Sequence, residues 1–368
     1  MSFLRDIQVA QRLVQNRWYR YRYLDRDIAN QKRELQDYTS AITEVREFSA
    51  VTSGDVAVFV YYEPDGRLSP SACRILEALK RHSVQVLLLC SHDLSSQQQQ
   101  FFENTVNAVV RRDNQGFDFG SYKDGINYIN GLDIQINRLL LLNDSVLYSS
   151  NGLDEFVSRM LAEHDVVSAH ENWGDDRPQH LQSFALSISS HIFGAAPFQQ
   201  FWSDYVPVSN RVHAIHSGEY GLSSVLLKAA RSVDVIYSTT ALAERLSAEP
   251  NCIPKMPIIF AEPWRSEIAK HDTSGQTWDN QVTSIVNRIN ATSPIHSGAY
   301  LFPKFLGSPL FKKDLVYRER FQFWEVETWA QELLPAAEFE ELMAALRRKG
   351  TRSSLSKQDH HKYRIGVK

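Results

Sequence analysis

The feature that most constrains this chain is a regular alternation of strand-length apolar runs with helical patterns, which begins at Gly54. The apolar runs predict strands over 56–62, 84–90, 106–110 and 138–142. The intervening patterns predict helices over 69–81 and 95–103 and a helix that begins near Phe119. Strands that alternate with helices build βαβ units and a parallel sheet. The sequence therefore predicts a doubly wound α/β fold, a mostly parallel sheet with helices on both faces.

The same pattern divides the 368 residues into four parts. These are an N-terminal helical extension (1–50), the α/β domain (54–318), a C-terminal helix (319–346) and a basic tail (347–368). The extension is predicted to be helical because residues 1–53 lack glycine and proline and apolar residues recur every seven positions, at Ile7, Val14, Tyr21, Ile28, Leu35 and Ile42. Such a helix would pack on the chain itself or form a homo-oligomer. The tail carries eight Lys or Arg against one Asp, which predicts disorder, either in solvent or along an anionic membrane surface.

Composition excludes several classes of protein. Hydrophobic residues make up 43% and charged residues 23% of the chain, as in ordinary globular proteins. The three cysteines, Cys73, Cys90 and Cys252, are too far apart for a disulfide framework or a zinc ribbon. The apolar runs are too short to span a bilayer, and the first residues do not resemble a signal peptide. Because the chain has a net charge of −3, we do not expect it to bind nucleic acid. We expect a cytoplasmic location.

Polar residues follow the predicted strands, at the sheet edge where ligands of parallel sheets bind. They are Tyr61 at the end of the first strand, Arg112, Asn114, Asp118 and Lys123 after the third, and Asn143 and Asp144 after the fourth. Each alone fits a turn or a helix cap. Together they predict a site for a polar, phosphorylated ligand, where Asp144 could share Mg²⁺ or Mn²⁺ with a diphosphate. Because the chain lacks a Gly-x-Gly-x-x-Gly fingerprint, a Walker loop and a Gly-x-Ser-x-Gly elbow, dinucleotide oxidoreductases, P-loop NTPases and α/β hydrolases are disfavoured.

Five motifs, in their order and spacing, resemble the rhamnan synthesis protein F family of bacterial polysaccharide glycosyltransferases. They lie at 112–123 (Arg-x-Asn-x-Gly-Phe-Asp-Phe-Gly-Ser-Tyr-Lys), 142–145 (Leu-Asn-Asp-Ser), 180–184 (His-Leu-Gln-Ser-Phe), 219–223 (Glu-x-Gly-Leu-Ser) and 294–312 (Pro-x-His, then Gly-x-Pro-x-Phe-Lys). The resemblance covers about 54–318. One departure is Ser293-Pro294-Ile295-His296, where the family often has Asn-Pro-Thr-His, so only the proline and His296 match.

The resemblance implies a glycosyltransferase type A (GT-A) nucleotide-sugar fold. Where that fold usually has Asp-x-Asp, this chain has Asn143-Asp144-Ser145, a single carboxylate that argues against strong metal dependence. His296 would complete the metal or diphosphate site, and Lys312 would neutralise a phosphate.

The resemblance also implies a catalytic base. Glu219 would deprotonate the acceptor hydroxyl, kept ionised by the start of a helix predicted over 219–230, with His180 as the second candidate. Gln182 would bind acceptor sugar hydroxyls.

These expectations predict an inverting glycosyltransferase at the inner membrane surface. It would move L-rhamnose from dTDP-L-rhamnose onto a lipid-linked or oligosaccharide acceptor of a surface polysaccharide. The alternative is a noncatalytic glycan-binding or scaffold module of a polysaccharide assembly complex.

Overall fold

A computed structural model describes residues 20–174, 177–250, 252–253, 257–262, 277–364 and 366. One eight-stranded sheet forms the centre of these residues. Its strands are β1 (Ile42–Glu47), β2 (Gly54–Tyr61), β3 (Gln85–Cys90), β4 (Ala108–Arg112), β5 (Ile136–Asn143), β7 (Val166–Ser168), β10 (Ala185–Ser189) and β11 (Val233–Val235). Two small sheets pair β6 (Val146–Tyr148) with β12 (Leu310–Lys312), and β8 (Glu171–Gly174) with β9 (Arg177–Leu181).

The strand order places the ends of four strands at one edge. The order is β1-β4-β3-β2-β5-β10-β7-β11, and β2 to β5 run parallel. Strand β10 runs antiparallel to both β5 and β7, β11 runs parallel to β7, and β1 runs antiparallel to β4. The predicted mostly parallel sheet is therefore confirmed. Because β10 is reversed, its first residue rather than its last lies beside the end of β5.

Helices cover both faces of the sheet. Successive residues of β2 point to opposite faces: Val58 packs in one core with Ile126, whereas Phe59 packs in the other with Ile75. The helices along the chain are α1 (Arg26–Glu34), α2 (Pro70–Arg81), α3 (Ser96–Glu103), α4 (Phe117–Asn130), α5 (Leu153–Met160), α6 (Ser190–Phe193), α7 (Ala196–Asp204), α8 (Arg211–His213), α9 (Tyr220–Ala229), α10 (Thr239–Ser247), α11 (Trp278–Asn290), α12 (Pro294–Ser297), α13 (Leu301–Leu306), α14 (Phe323–Leu333), α15 (Ala336–Lys349) and α16 (Lys357–Arg364). None of the helices described is long and apolar enough to cross a bilayer.

The N-terminal extension differs from the prediction of one helix over 1–50. A π-helix (Arg20–Asp25) and α1 are helical, but Ile42, which the seven-residue pattern placed in the helix, lies in β1. Strand β1 covers the edge of β4, and the β-branched residues Ile42, Thr43 and Val45 suit an extended strand. The first positions of the pattern, Ile7 and Val14, lie outside the described residues.

The C-terminal part is more ordered than predicted. Instead of one helix over 319–346, α14 and α15 are separated at Pro335, which cannot continue a helix without losing a hydrogen bond. The basic tail is not uniformly disordered: α15 extends to Lys349 and α16 follows. Tyr363 in α16 packs edge-on against Tyr317, which gives the tail a contact that its composition did not reveal.

Candidate functional site

The end of β5 is joined to two other elements by short hydrogen bonds. Asn143 donates from Nδ2 to Oδ2 of Asp118 at 2.9 Å, and its Oδ1 accepts from the backbone N–H of Ser145 at 3.0 Å. Oδ2 of Asp144 accepts from the backbone N–H of Tyr62 at 3.0 Å. The residues after β2 and β5 and the first turn of α4 therefore meet at one edge, as the sequence predicted for Asp118, Asn143 and Asp144.

Two glycines explain how Asp118 reaches this edge. Gly116 has φ of +77°, and a Cβ there would lie 2.4 Å from Pro207. A Cβ at Gly120 would lie 1.9 Å from the carbonyl oxygen of Gln115. Only glycine fits such a tight turn and close backbone contact. The Gly-Phe-Asp-Phe-Gly motif is thus a turn that directs Asp118 toward β5.

The carboxylates of this edge interact with one another. Burial, followed by the negative charge of Asp144 and that of Glu219, raises the pKa of Asp118 to about 6, although Lys312 opposes the rise. Burial also raises the pKa of Asp144, against the positive charge of Lys313. Asp118, Asp144, Glu219 and Lys312 therefore share one electrostatic environment.

Lys312 is brought to the site by the pairing of β12 with β6, in which it lies opposite Val146. Its Nζ donates to Oγ of Ser145 at 2.9 Å and lies 4.1 Å from the centre of the Phe184 ring. Burial lowers the pKa of Lys312, while the Asp314 carboxylate raises it. The predicted phosphate-binding lysine thus lies directly beside the end of β5.

Glu219 lies on the helical side of the same group of residues and is bound by Ser183. Its Oε2 accepts from the backbone N–H of Ser183 at 3.0 Å and from the Ser183 hydroxyl at 2.7 Å. Its Oε1 lies 3.5 Å from Nε2 of His180. Ser183 immediately precedes Phe184, the residue beneath Lys312.

The expected position of Glu219 at the start of a helix is wrong. The helical run starts with α8, continues through the π-helix Ala214–Glu219 and goes on into α9, so Glu219 lies within it. The two donors of Ser183, rather than a helix N-terminus, are positioned to stabilise the carboxylate.

His180 is buried and its proton positions follow from its partners. Nδ1 lies 2.8 Å from the carbonyl oxygen of Pro178, which only accepts, so Nδ1 carries a hydrogen. Nε2 then faces Glu219, either with a lone pair or protonated. Oε1 of Glu219 and Nε2 of His180 thus face each other across 3.5 Å.

Gln182 lies on the same segment as His180 and Ser183 and is also buried. Its backbone N–H donates to the carbonyl oxygen of His170 at 2.9 Å. Among the described residues its side-chain amide has no hydrogen-bond partner, so it can bind a hydroxyl group.

Tyr61 is not placed in the site. Its side chain is buried, and its hydroxyl donates to the carbonyl oxygen of Arg67 at 3.1 Å. The neighbouring Tyr62 is 51% exposed and follows the end of β2. Successive strand residues point to opposite faces, so the side chain of Tyr62 points away from the core that buries Tyr61.

Arg112 and Lys123 are bound by protein groups and are not placed to bind a diphosphate. The fully buried Arg112 donates from Nε to Asp124 at 2.8 Å and from Nη2 to the carbonyl oxygen of Gln115 at 2.7 Å. Lys123 donates from Nζ to the carbonyl oxygens of Ser203 and Tyr205 at 3.1 and 2.6 Å. These partners leave neither cation available to a diphosphate.

His296 is also engaged by protein groups. Its Nδ1 lies 2.8 Å from Oγ of Ser293 and its Nε2 lies 2.8 Å from Oδ1 of Asp314. With both ring nitrogens occupied, His296 offers no free lone pair to a metal ion. In the part of the chain that the structure describes, no group of three or more His, Cys, Asp or Glu side chains could hold a metal ion.

A cavity of about 290 Å³ lies at the ends of β3 and β4, next to Tyr62. It is lined by Thr43, Glu44, Ser91, His92, Arg111, Arg112, Asp113 and Asn114. Asn114 was predicted as a donor contact, whereas His92 was missed although it follows the second strand of the pattern. Both ring nitrogens of His92 are buried without a hydrogen-bond partner among the described residues, and its ring lies 5.7 Å from that of Tyr62.

The loop 207–211 connects the two halves of the site. On the side of Asp118, Gln115 donates from Nε2 to the carbonyl oxygen of Pro207 at 2.7 Å, and the N–H of Gly116 donates to Oγ of Ser209 at 3.0 Å. On the other side, Asn210 caps the helical run that carries Glu219, because its Oδ1 accepts from two backbone N–H groups of that run.

A model of the rhamnan synthesis protein F family matches residues 86–271, half of the chain. The chain belongs to this family. This member of the rhamnan synthesis protein F family has a mostly parallel sheet flanked by helices, with a polar cluster at the strand ends.

This family member is 24% identical over 215 residues to the uncharacterized protein y4gN of Sinorhizobium fredii. The match covers 53% of this chain and 56% of that protein, so the chain spans about half the length of the curated relative it matches.

Solved structures with some likeness include the glycosyltransferase GlyE of Streptococcus pneumoniae TIGR4, at 11% identity and a TM-score of 0.33, over 83% of this chain and 66% of that one. Another is S. aureus TarS 1-349, at 10% identity and a TM-score of 0.30, over 82% of this chain and 93% of that one. TM-scores of this size support no conclusion about activity.

Proposed function

We propose that this chain is an inverting glycosyltransferase that moves L-rhamnose from dTDP-β-L-rhamnose to a hydroxyl group of a bacterial surface polysaccharide. The observation that carries the proposal is that Ser183 binds Glu219 directly beside Phe184, over which Lys312 lies next to the Asp118–Asn143–Asp144 edge, in a member of the rhamnan synthesis protein F family. A base and a binding edge for a diphosphate are the two parts that sugar transfer requires.

The donor nucleoside would occupy the cavity at the ends of β3 and β4. At about 290 Å³ the cavity is at the small end of ligand pockets, which suits a nucleoside. The unpartnered nitrogens of His92 and the side chain of Asn114 can bind polar atoms of a base, and the exposed ring of Tyr62 can stack on it. From Tyr62 the donor would continue to Asp144, which the Tyr62 N–H already contacts.

The leaving diphosphate gains negative charge as its bond to the sugar breaks. Lys312, beside Ser145, is placed to stabilise that charge. A divalent cation fits in part, because Asp118 and Asp144 each have one carboxylate oxygen without a hydrogen bond from the described residues, and hard oxygen ligands suit Mg²⁺ or Mn²⁺. When bound, such an ion would neutralise the diphosphate, and most of its ligands would come from the diphosphate and water.

The acceptor hydroxyl would lose its proton to Oε1 of Glu219. Ser183 holds the other carboxylate oxygen, so Oε1 is the atom left for the acceptor. Nε2 of His180, 3.5 Å from Oε1, can take the proton onward while Nδ1–H stays on the carbonyl of Pro178. Gln182, on the same segment, would bind a neighbouring hydroxyl of the acceptor sugar.

The decisive experiment combines a transfer assay with calorimetry. Purified protein is given dTDP-β-L-rhamnose and a polysaccharide-derived oligosaccharide, and dTDP binding is measured separately. Glu219→Gln keeps an oxygen for the Ser183 donors but cannot accept a proton at neutral pH, so kcat should fall about 1000-fold with dTDP affinity within about twofold of wild type. Glu103→Gln, on the exposed end of α3, is the matched control and should be unchanged.

The outcomes separate the alternatives. Near-normal turnover by Glu219→Gln would refute the assignment of the base. A wild-type protein that binds neither dTDP nor UDP and transfers no sugar would instead support the noncatalytic glycan-binding or scaffold module.

The proposal includes a cytoplasmic location against the inner membrane, where a lipid-linked acceptor would be presented. Arg22, Tyr23 and Arg26 lie exposed on the N-terminal helical segment, where cations and an aromatic ring suit an anionic membrane surface. Sedimentation with phosphatidylglycerol vesicles but not with phosphatidylcholine vesicles is the expected result. Analytical ultracentrifugation would test the proposed homo-oligomer through this segment.

A further inference from the structure

Arg211 and Arg352 contact Tyr363 of α16, and the positive charge of Arg318 acts on the same tyrosine; we name these four residues the Tyr363 cluster. Arg352 donates from Nη2 to the Tyr363 hydroxyl at 2.9 Å. The guanidinium groups of Arg352 and Arg211 lie 4.7 and 5.2 Å from the centre of the Tyr363 ring. The backbone N–H of Arg211 donates to the carbonyl oxygen of Gly366, so Gly366 is held at the same place.

The hydroxyl of Tyr363 lies in a strongly positive environment. Burial alone would raise the pKa of Tyr363, but a hydrogen bond from Arg211 and the charges of Arg211, Arg318 and Arg352 outweigh burial and lower it. Arg318 is partly neutralised, because its Nε lies 2.7 Å from Asp314. In contrast, Nε of Arg352 is buried without a hydrogen-bond partner among the described residues. The cluster therefore has more donor capacity than one phenol oxygen can satisfy.

The Tyr363 cluster adjoins the candidate site. Asp314, the partner of Arg318, also binds His296, and the positive charge of Arg318 lowers the pKa of Lys312 after the larger effect of burial. Arg211 begins the helical run that carries Glu219. An anion bound here would lie beside the candidate site and in contact with the helical run that carries Glu219.

We propose that Arg211, Arg318 and Arg352 form a binding site for a phosphate group, and that the Tyr363 hydroxyl occupies this site until a phosphate-bearing ligand displaces it. Guanidinium groups bind phosphate through paired N–H donors. A phosphate group has several oxygens, so it can accept from the N–H donors that remain without a partner when only the Tyr363 hydroxyl is present. The site is separate from the donor edge at Lys312, and the proposal does not depend on the proposed sugar transfer.

The test uses the full chain and inorganic pyrophosphate, measured by calorimetry. Tyr363→Phe keeps the ring that packs on Tyr317 and under the arginines but removes the oxygen to which Arg352 donates. Pyrophosphate affinity should rise about tenfold in Tyr363→Phe, since a hydrogen bond to a charged group no longer competes. Adding Arg352→Met to Tyr363→Phe should abolish the gain.

Two further variants show where pyrophosphate binds and allow for a change in the fold. Adding Lys312→Met to Tyr363→Phe should leave the tenfold gain in pyrophosphate affinity intact. If pyrophosphate bound instead at the edge formed by Asp118, Asn143 and Asp144, its affinity would depend on Lys312. Arg352→Met alone should weaken pyrophosphate binding to the otherwise wild-type chain, which keeps the test valid if Tyr363→Phe alters the fold.

A vesicle-binding experiment identifies the source of the phosphate group. Retention of Tyr363→Phe on phosphatidylglycerol vesicles, reversed by pyrophosphate, would identify a lipid headgroup, and pyrophosphate binding without retention would identify a soluble phosphate ligand. Equal pyrophosphate affinity of wild type and Tyr363→Phe, or a gain that survives Arg352→Met, would overturn the proposal.

Discussion

Asn143 at the end of β5 donates a hydrogen bond from its side-chain amide to Asp118 in the first turn of α4, across 2.9 Å. The two residues belong to different motifs and lie on different layers of the fold. Their contact brings the carboxylate of Asp118 beside that of Asp144, and this neighbour is the largest cause after burial of the raised pKa of Asp118. The edge formed by Asp118, Asn143 and Asp144 is therefore assembled at a cost in electrostatic repulsion between its two carboxylates.

That repulsion predicts a pH-dependent stability. Because the pKa of Asp118 rises to about 6 on folding from an ordinary 3.8, its neutral form favours the folded state, and this contribution is lost as pH rises from about 4 through 6. Asp118→Asn removes the effect, so its free energy of unfolding should exceed that of wild type by an amount that grows to on the order of 2 kcal/mol between pH 4 and pH 7. Urea unfolding at several pH values measures this difference. Asp133→Asn, an exposed control, should give a constant difference, and a constant difference for Asp118→Asn would contradict the prediction.

Tyr62 and Tyr61 should have separable roles. Tyr62→Ala should weaken dTDP binding about tenfold, because an exposed ring beside His92 is lost, with little change in the free energy of unfolding. Tyr61→Phe should leave dTDP binding unchanged and lower stability by about 1 kcal/mol, because the bond to the Arg67 carbonyl is lost. Calorimetry and urea unfolding would show both effects, and the reverse pattern would restore Tyr61 to the donor site.

Lys312 should act on the leaving group. Lys312→Met keeps most of the side-chain volume over Phe184 but removes the charge, so kcat should fall about 100-fold. Steady-state transfer assays would measure this fall, with Lys32→Met on the exposed side of α1 as the control. Unchanged kcat for Lys312→Met would remove Lys312 from the site.

The turn before Asp118 should tolerate no side chain at Gly120. Gly120→Ala places a Cβ 1.9 Å from the carbonyl oxygen of Gln115, so the backbone must shift and stability should fall by about 3 kcal/mol. Gly194→Ala meets its nearest atom, the Ser190 carbonyl oxygen, at 3.4 Å and should change stability by less than about 1 kcal/mol. Thermal and urea unfolding of both variants would compare them, and equal stabilities would contradict this role of Gly120 in the turn.

The sheet could be predicted because each apolar run has the length of a buried strand and each helical pattern follows a turn signal. The positions of Asp118 and Asn143 followed from the same reasoning, since residues after parallel strands converge on one edge. Strand β1 was missed because its apolar residues also fitted a seven-residue helical repeat, and only the uncovered edge of β4 decides between the two.

The roles of individual motif residues were harder to predict. Arg112 and Lys123 look like ligands of a phosphate in sequence, yet their partners are Asp124 and the carbonyls of Ser203 and Tyr205, contacts made by the folded chain alone. Lys312 could be connected with Ser145 only through the family resemblance, because the pairing of β6 with β12 joins segments that are distant in sequence.

The loop 207–211 supports the turn that directs Asp118 and also caps the helical run that carries Glu219. Its Asn210 further binds Asp27 of α1 at 3.1 Å. A substitution in this loop would therefore displace Asp118 and Glu219 together, and under the proposed function it would impair the binding of donor and acceptor alike. Variants with a new acceptor preference but the old donor preference should carry their changes elsewhere, on the segment around Gln182.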